Sequence, residues 1–155
     1  MPPLHVRPVV AADRPRLEAA LHALGPESRQ RRFGRVAIPA DEALRWLGEL
    51  DGCSRVALCA CHAVTGEALA VARYVRAPDG GSVAEIAVTV IDAWQGRRIG
   101  TLLARRLAAH ARECGIAELL AEIGADNVRA IKLMRGLGAP RATAHWGVVE
   151  MRAMV

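Results

Sequence analysis

A glycine-containing turn that leads from a strand into a helix aims unpaired backbone N–H groups, and the positive end of the helix dipole, at whatever lies before it. Such a turn can cradle an anion. The run Gln95-Gly96-Arg97-Arg98-Ile99-Gly100-Thr101 has this form. Arg97 and Arg98 add full charges suited to a pyrophosphate, although an ordinary strand-to-helix turn with surface arginines would read the same way. Upstream, Glu85 is the one ionisable residue in the apolar run "SVAEIAVTV". Burying a carboxylate there costs free energy unless it has a partner or a purpose, so Glu85 is a candidate general base. The alternative is a carboxylate at a wet strand edge, paired with an arginine.

The elements that hold these residues follow from periodicity and punctuation. "LHVRPVV" (4–10) alternates like a strand, and Asp13 then offers an N-cap to "RPRLEAALHAL", whose Leu17, Leu21 and Leu24 share a helical face. Gly25-Pro26 breaks that helix and starts "PESRQRRF", and a third helix is expected over 39–50, where Leu44, Leu47 and Leu50 recur. "RVALCACHAV", "ALAVARYVRA" and "SVAEIAVTV", separated by the turns "TGE" and "PDGG", read as an antiparallel meander. The helix after the cradle carries Ile99, Leu103, Leu107 and Ala111 on one stripe and arginines opposite, and Gly115 ends it. A buried strand (116–124), a helix (127–138) and a hairpin turning near Trp146-Gly147 complete the order β-α-α-α-β-β-β-α-β-α-β-β.

The 155 residues, 52% of them apolar, suit one domain, 1–155, with an ample core. There is no run of about 18 apolar residues to span a membrane and no signal-peptide pattern at "MPPLHVRPVV", so a cytoplasmic protein is expected. The cysteines at 53, 59, 61 and 114 lack C-x-x-C spacing and the histidines lack an H-x-x-x-H pair, so core thiols and no metal are expected. Cys59 and Cys61 share one strand face yet are poorly placed to bridge. The net charge of +5, carried by arginine apart from Lys132, favours an anionic ligand. Three Trp, one Tyr and one Phe, with no basic-aromatic stripe, argue against nucleic acid and leave a polyphosphate ligand as the better use of that charge.

The stretch "VTVIDAWQGRRIGTLL" resembles the signature of GNAT-superfamily N-acetyltransferases, Q/R-x-x-G-x-G/A after a V-x-V strand and before an apolar helix. Gln95 and Gly100 match its ends, whereas Arg98 stands where the family usually has glycine. A glycine lets backbone approach phosphates closely, so Arg98 either tolerates the geometry and adds a phosphate contact or partly blocks the cradle. Along most of the chain, "VRPVVAAD", "LGPESRQRRFG", "ARYVRAPDGGSVAEIAV" and "NVRAIKLMRGLGA" are similar to segments of the bacterial protein lysine acetyltransferases related to those that modify acyl-CoA synthetases.

The resemblance implies an α/β fold of GNAT topology, a mixed, mostly antiparallel sheet splayed in the middle with helices on both faces. It implies acetyl-CoA as cosubstrate, held by Gln95, Gly96, Arg97, Arg98, Gly100 and Thr101, by backbone groups of Val88 and Val90 along the pantetheine arm, and by Asn127. Asparagine also caps helices irrespective of function, so Asn127 carries both readings. Glu85 corresponds to the family's glutamate in "AEI", and the acceptor is a primary amine, in this branch a protein lysine, with an acyl-CoA synthetase as a possible partner. Many members place a tyrosine seven residues after the asparagine as general acid; here Met134 stands there, leaving water, an unassisted thiolate or Tyr74. A small-molecule amine acceptor and a non-catalytic acyl-CoA-binding module are the alternatives. The basic run Arg29, Arg31, Arg32 and Arg35 is either a solvated helix face or part of the substrate entrance.

Overall fold

Small and β-branched residues between glycine-bearing turns make the middle of this chain a sheet. The computed structural model describes residues 3–34, 36–37, 39–138 and 141–155. β1 (Leu4–Pro8), β2 (Arg55–His62), β3 (Ala68–Arg76) and β4 (Val83–Val90) pair antiparallel in chain order. β5 (Glu118–Gly124), β6 (Arg141–His145) and β7 (Val148–Met154) extend the same sheet to the order β1-β2-β3-β4-β5-β7-β6. Among the described residues β4 and β5 form the one parallel pair, at the centre of the sheet. The β6–β7 hairpin turns on Trp146 (φ 51°) and Gly147 (φ 76°), the paired positive φ values of a tight turn that matches strand twist.

Five α-helices lie among the described residues: α1 (Arg14–His22), α2 (Pro26–Phe33), α3 (Ala40–Ala43), α4 (Ile99–Glu113) and α5 (Val128–Gly136). Alternation along the strands sends side chains to two cores. On one face Ile99, Leu103, Leu107 and Ala111 of α4 are buried with Ile86, Leu119, Met134 and Met151. On the other, Leu17, Leu44 and Leu47 pack with Val9, Ala57 and Cys59. Each fully buried leucine contributes about 2–3 kcal/mol through its area alone, so the two stripes fix which face each helix covers. The sheet and its helices are those of the α/β arrangement expected from the resemblance.

Three local expectations are corrected. The helix expected over 39–50 is one α-turn, α3, followed by a 3₁₀ turn from Arg45 to Glu49. Leu44, Leu47 and Leu50 repeat every three residues, and in a 3₁₀ turn residues three apart eclipse, which aims the column at the core. Asp13 precedes α1 but makes no side-chain cap to it. It is buried and takes a two-pronged pair from Arg7 (2.8 and 2.5 Å) plus the Val10 N–H (2.8 Å), tying β1 to α1. The hydrogen bonds from Arg7 hold its carboxyl below the ordinary range. Cys53 is exposed, against the expectation of a core thiol, whereas Cys59 and Cys61 are core thiols as expected, 3.7 Å apart and unbridged, with Cys59 pushed up to about 12 by burial.

Candidate functional site

β4 and β5 run together for three residues and then part. Their register ends at Glu85↔Leu120, while β4 continues alongside β3 to Val90 and β5 stays paired with β7 to Gly124. Each strand keeps its outer neighbour, so the split opens between them. The Ile91 N–H donates to Leu69 and the Val83 carbonyl accepts from Ala77, which directs the odd positions of β4 toward β3. By alternation the backbone groups of Val88 and Val90 face the split. The Val90 carbonyl already accepts from Gln95 Nε2 (3.0 Å). At Val88, an N–H and a C=O remain on that edge for an incoming amide.

The candidate anion cradle lies where β4 hands over to α4. Gly96 stands at φ 77° and Arg98 at φ 63°, both left-handed, and α4 begins at Ile99. Its first hydrogen bond joins Leu102 N–H to Arg98 O, so the amides of Ile99, Gly100 and Thr101 have no acceptor within the helix. Gly100 is buried, and a Cβ there would sit 3.3–3.4 Å from Leu133, Val88 and Val90 side chains. Glycine at this position lets the helix start press against β4. The left-handed backbone at Arg98 explains why glycine suits that place: any other L-residue carries a steric cost of about 1–2 kcal/mol there. The Arg98 side chain is exposed and makes no hydrogen bond or ion pair with a described residue, whereas the Arg97 guanidinium stacks over Trp94 at 4.5 Å.

Gln95 braces the cradle instead of projecting freely. Its Nε2 also donates to Ser28 Oγ (3.1 Å), and its Oε1 accepts from Arg129 Nη1 (2.9 Å), which links α2, β4 and α5 at one side chain. Sequence reasoning missed Ser28 and Arg129. Arg129 lies two residues past Asn127, and only the docking of α5 brings it beside Gly96, where an added Cβ would be 3.7 Å from its Nη2. Asn127 caps α5, its Oδ1 accepting from Ala130 N–H (3.2 Å).

Glu85 is exposed, which corrects the expectation of a buried carboxylate. It is the last residue of β4 paired to β5 and shares its sheet face with Ala87 and Thr89. Those two line an open cleft between the sheet and the first three helices, together with Arg32, Phe33, Trp46 and Arg73. The half-buried charges here are the arginines Arg32 and Arg73. Burial, then the neighbouring Arg73, pushes Arg32 down to about 10, with Glu85 acting in the opposite direction. Of the basic run, Arg29 donates to the carbonyls of Leu21 and Leu24, Arg31 pairs with Glu27, and Arg32 enters the cleft; Arg35 lies outside the described residues. Tyr74 is 1% exposed and donates its hydroxyl to Cys53 O (2.7 Å), with its ionisation pushed up by burial. Met134 is core. Neither is set to protonate a leaving thiolate.

Residues 39–139 match the acetyltransferase (GNAT) family. The chain belongs to this family. It is similar to the acetyltransferase Pat of Mycolicibacterium smegmatis, 32% identical over 145 residues, covering 94% of this chain but 44% of that protein. The chain therefore spans less than half the length of that relative. The crystal structure of the GNAT domain of S. lividans PAT superposes with a TM-score of 0.86 at 29% identity, over 98% of this chain and 90% of that one. A Salmonella typhimurium protein solved with its cofactor acetyl-CoA shares the fold, with a TM-score of 0.73 at 22% identity over 97% and 93% of the two chains. Among the described residues no cluster of His, Cys, Asp or Glu is placed to hold a metal ion, and no helix is long and apolar enough to cross a membrane.

Proposed function

We propose that this chain transfers an acetyl or other short acyl group from acetyl-CoA to a primary amine, and that the amine is a lysine on a protein, with an acyl-CoA synthetase the leading candidate. The observation that carries the reading is the fork after Glu85↔Leu120 opening onto the start of α4. Acetyl-CoA supplies the activated thioester. The residues present fit it: the free edge at Val88 matches amides of a pantetheine arm, and the amides of 99–101 with Arg97 and Arg98 match a pyrophosphate. Gln95, Gly96 and Gly100 shape that loop, and Asn127 orders the α5 start beside it.

An amine with a pKa near 10.4 is protonated at neutral pH and must lose a proton before nitrogen attacks. Glu85, solvent-accessible at the mouth of the fork, takes that proton directly or through water. The acyl group passes straight to the amine in a ternary complex, and water protonates the departing thiolate. The resemblance to protein lysine acetyltransferases, the similarity to Pat and the two cleft arginines support a protein acceptor over a polycation, which that positive charge would repel. Four free cysteines, one of them exposed, suit a cytoplasmic protein.

The test is thiol release from acetyl-CoA, measured as kcat/KM for a purified acyl-CoA synthetase, spermidine, a free amino acid and an aminoglycoside, at low and moderate salt. The synthetase should be the best substrate. A small amine turned over more efficiently than every protein tried would overturn the lysine acceptor.

A further inference from the structure

Two arginines occupy the apolar cleft beside Glu85 without a carboxylate to neutralise them. Arg32 comes from α2 and Arg73 from β3, and both line the cleft. Arg32 donates to Thr89 Oγ1 (3.1 Å) and packs its guanidinium over Phe33 at 5.0 Å. Arg73 lies over Trp46 at 5.2 Å, donates no hydrogen bond to any described residue, and has a fully buried Nε without a partner. Among the described residues no carboxylate comes within ion-pair distance of either; Glu85 and Glu49 act on Arg73 only through space. Burial pushes both guanidinium groups down, and Arg73 adds to the effect on Arg32.

A half-buried charge without a carboxylate partner is costly, and two like charges in one apolar cleft cost more. Burying them unpaired makes sense if the partner arrives with a ligand. The guanidinium fork matches a carboxylate in two-pronged geometry, and the aromatic rings behind each arginine hold its plane.

We infer that Arg32 and Arg73 form a carboxylate-binding subsite of the acceptor cleft, so that the preferred amine carries a carboxylate close by. Two sources share this chemistry: an acidic side chain neighbouring the lysine of a protein, and the α-carboxylate of a free amino acid. The inference deepens the proposed acyl transfer and rests on it for the word acceptor, whereas the anion site itself does not. With Glu85 on the same face of β4 as Ala87 and Thr89, the subsite would receive the carboxylate while Glu85 faces the amine.

Two measurements on the full chain test this. Calorimetry with glutarate at constant ionic strength, with glutaramide as the neutral control, reads the site without any turnover. Glutarate should bind and glutaramide should not, and Arg32→Gln or Arg73→Gln should weaken glutarate by about tenfold or more, the effect of one charge-assisted hydrogen bond. Thiol release then compares lysine peptides bearing Glu with their Gln counterparts, one or two residues to either side of the lysine, and free lysine with lysinamide. A preference of about tenfold or more for a carboxylate partner, reduced in Arg73→Gln, supports the subsite, and the favoured pair identifies the source. Circular dichroism checks folding of the variants, and the wild-type comparisons need no variant at all. Failure of the wild type to bind glutarate, or equal rates within every acceptor pair, overturns the subsite. Glutarate binding with no thiol release from any amine would keep it and remove the transferase reading; thiol release indifferent to every carboxylate would do the reverse.

Discussion

Replacing Arg98 by glycine should stabilise the protein while weakening cofactor binding only slightly. Arg98 sits at φ 63°, where a side chain costs about 1–2 kcal/mol and glycine nothing. Glycine gives back roughly 0.5–1 kcal/mol because it frees the unfolded chain. The arginine side chain is exposed and makes no hydrogen bond or ion pair with a described residue, so no contact is lost in the folded protein. The net gain is roughly 0.5–1 kcal/mol, or a rise of about 1–4 °C in Tm for a chain of this size. Arg98→Ala removes the same charge but keeps the Cβ and its strain. Its Tm should therefore stay within about 1 °C of wild type, and the difference between the two variants isolates the backbone. Both should lose less than about tenfold in acetyl-CoA affinity, the scale of one solvent-exposed phosphate contact. Differential scanning calorimetry without ligand and titration calorimetry with acetyl-CoA make the comparison. A glycine variant no more stable than the alanine one would refute the strain, and a glycine variant that no longer binds would make Arg98 a principal ligand.

Gly100→Glu should abolish acetyl-CoA binding in the same titration, since it puts a negative side chain into a space where even a Cβ meets three neighbours at 3.3–3.4 Å; Gly96→Glu should do so by charge and by its φ of 77°, and near-normal affinity in either would sink the cofactor assignment. Glu85→Gln keeps shape but accepts no proton, so it should bind acetyl-CoA normally and lose about 10²–10⁴-fold in turnover; unchanged turnover across roughly pH 6 to 9 would move the base elsewhere. Asp13, held below its ordinary 3.8 by Arg7, contributes stability that is present above that value and is lost as pH falls through the lower folded one. Melting temperature should therefore drop in acid below about pH 4, and Asp13→Asn should flatten that drop while costing about 1.5–3 kcal/mol at neutral pH by urea unfolding.

Much of the fold was legible because it is local. Period-two and helical apolar patterns placed the strands and the α4 stripe, and Gly66, Gly115 and Gly147 marked ends where the backbone turns left-handed. The cradle was legible for the same reason: a strand, a glycine turn and a helix start are contiguous, and its amides need no distant partner to point outward.

What periodicity does not carry is depth, or the identity of a partner far along the chain. Glu85 read as a buried carboxylate or one at a wet strand edge, and only the tertiary structure leaves it exposed at the end of the β4–β5 pairing, beyond which β3 holds one strand and β7 the other. Leu44 and Leu47 read as a helical stripe until packing selected the tighter 3₁₀ turn. Asp13 read as a cap until Arg7 claimed its carboxylate, and the convergence of Ser28, Val90 and Arg129 on Gln95 carried no signal in the sequence. Arg32 read as either a solvated helix face or part of the substrate entrance, and Arg73, on a different element, carried no signal in the sequence. Only the docking of α2 on the sheet brings both into one apolar cleft, because burial is a property of the assembled surface and no segment possesses it alone.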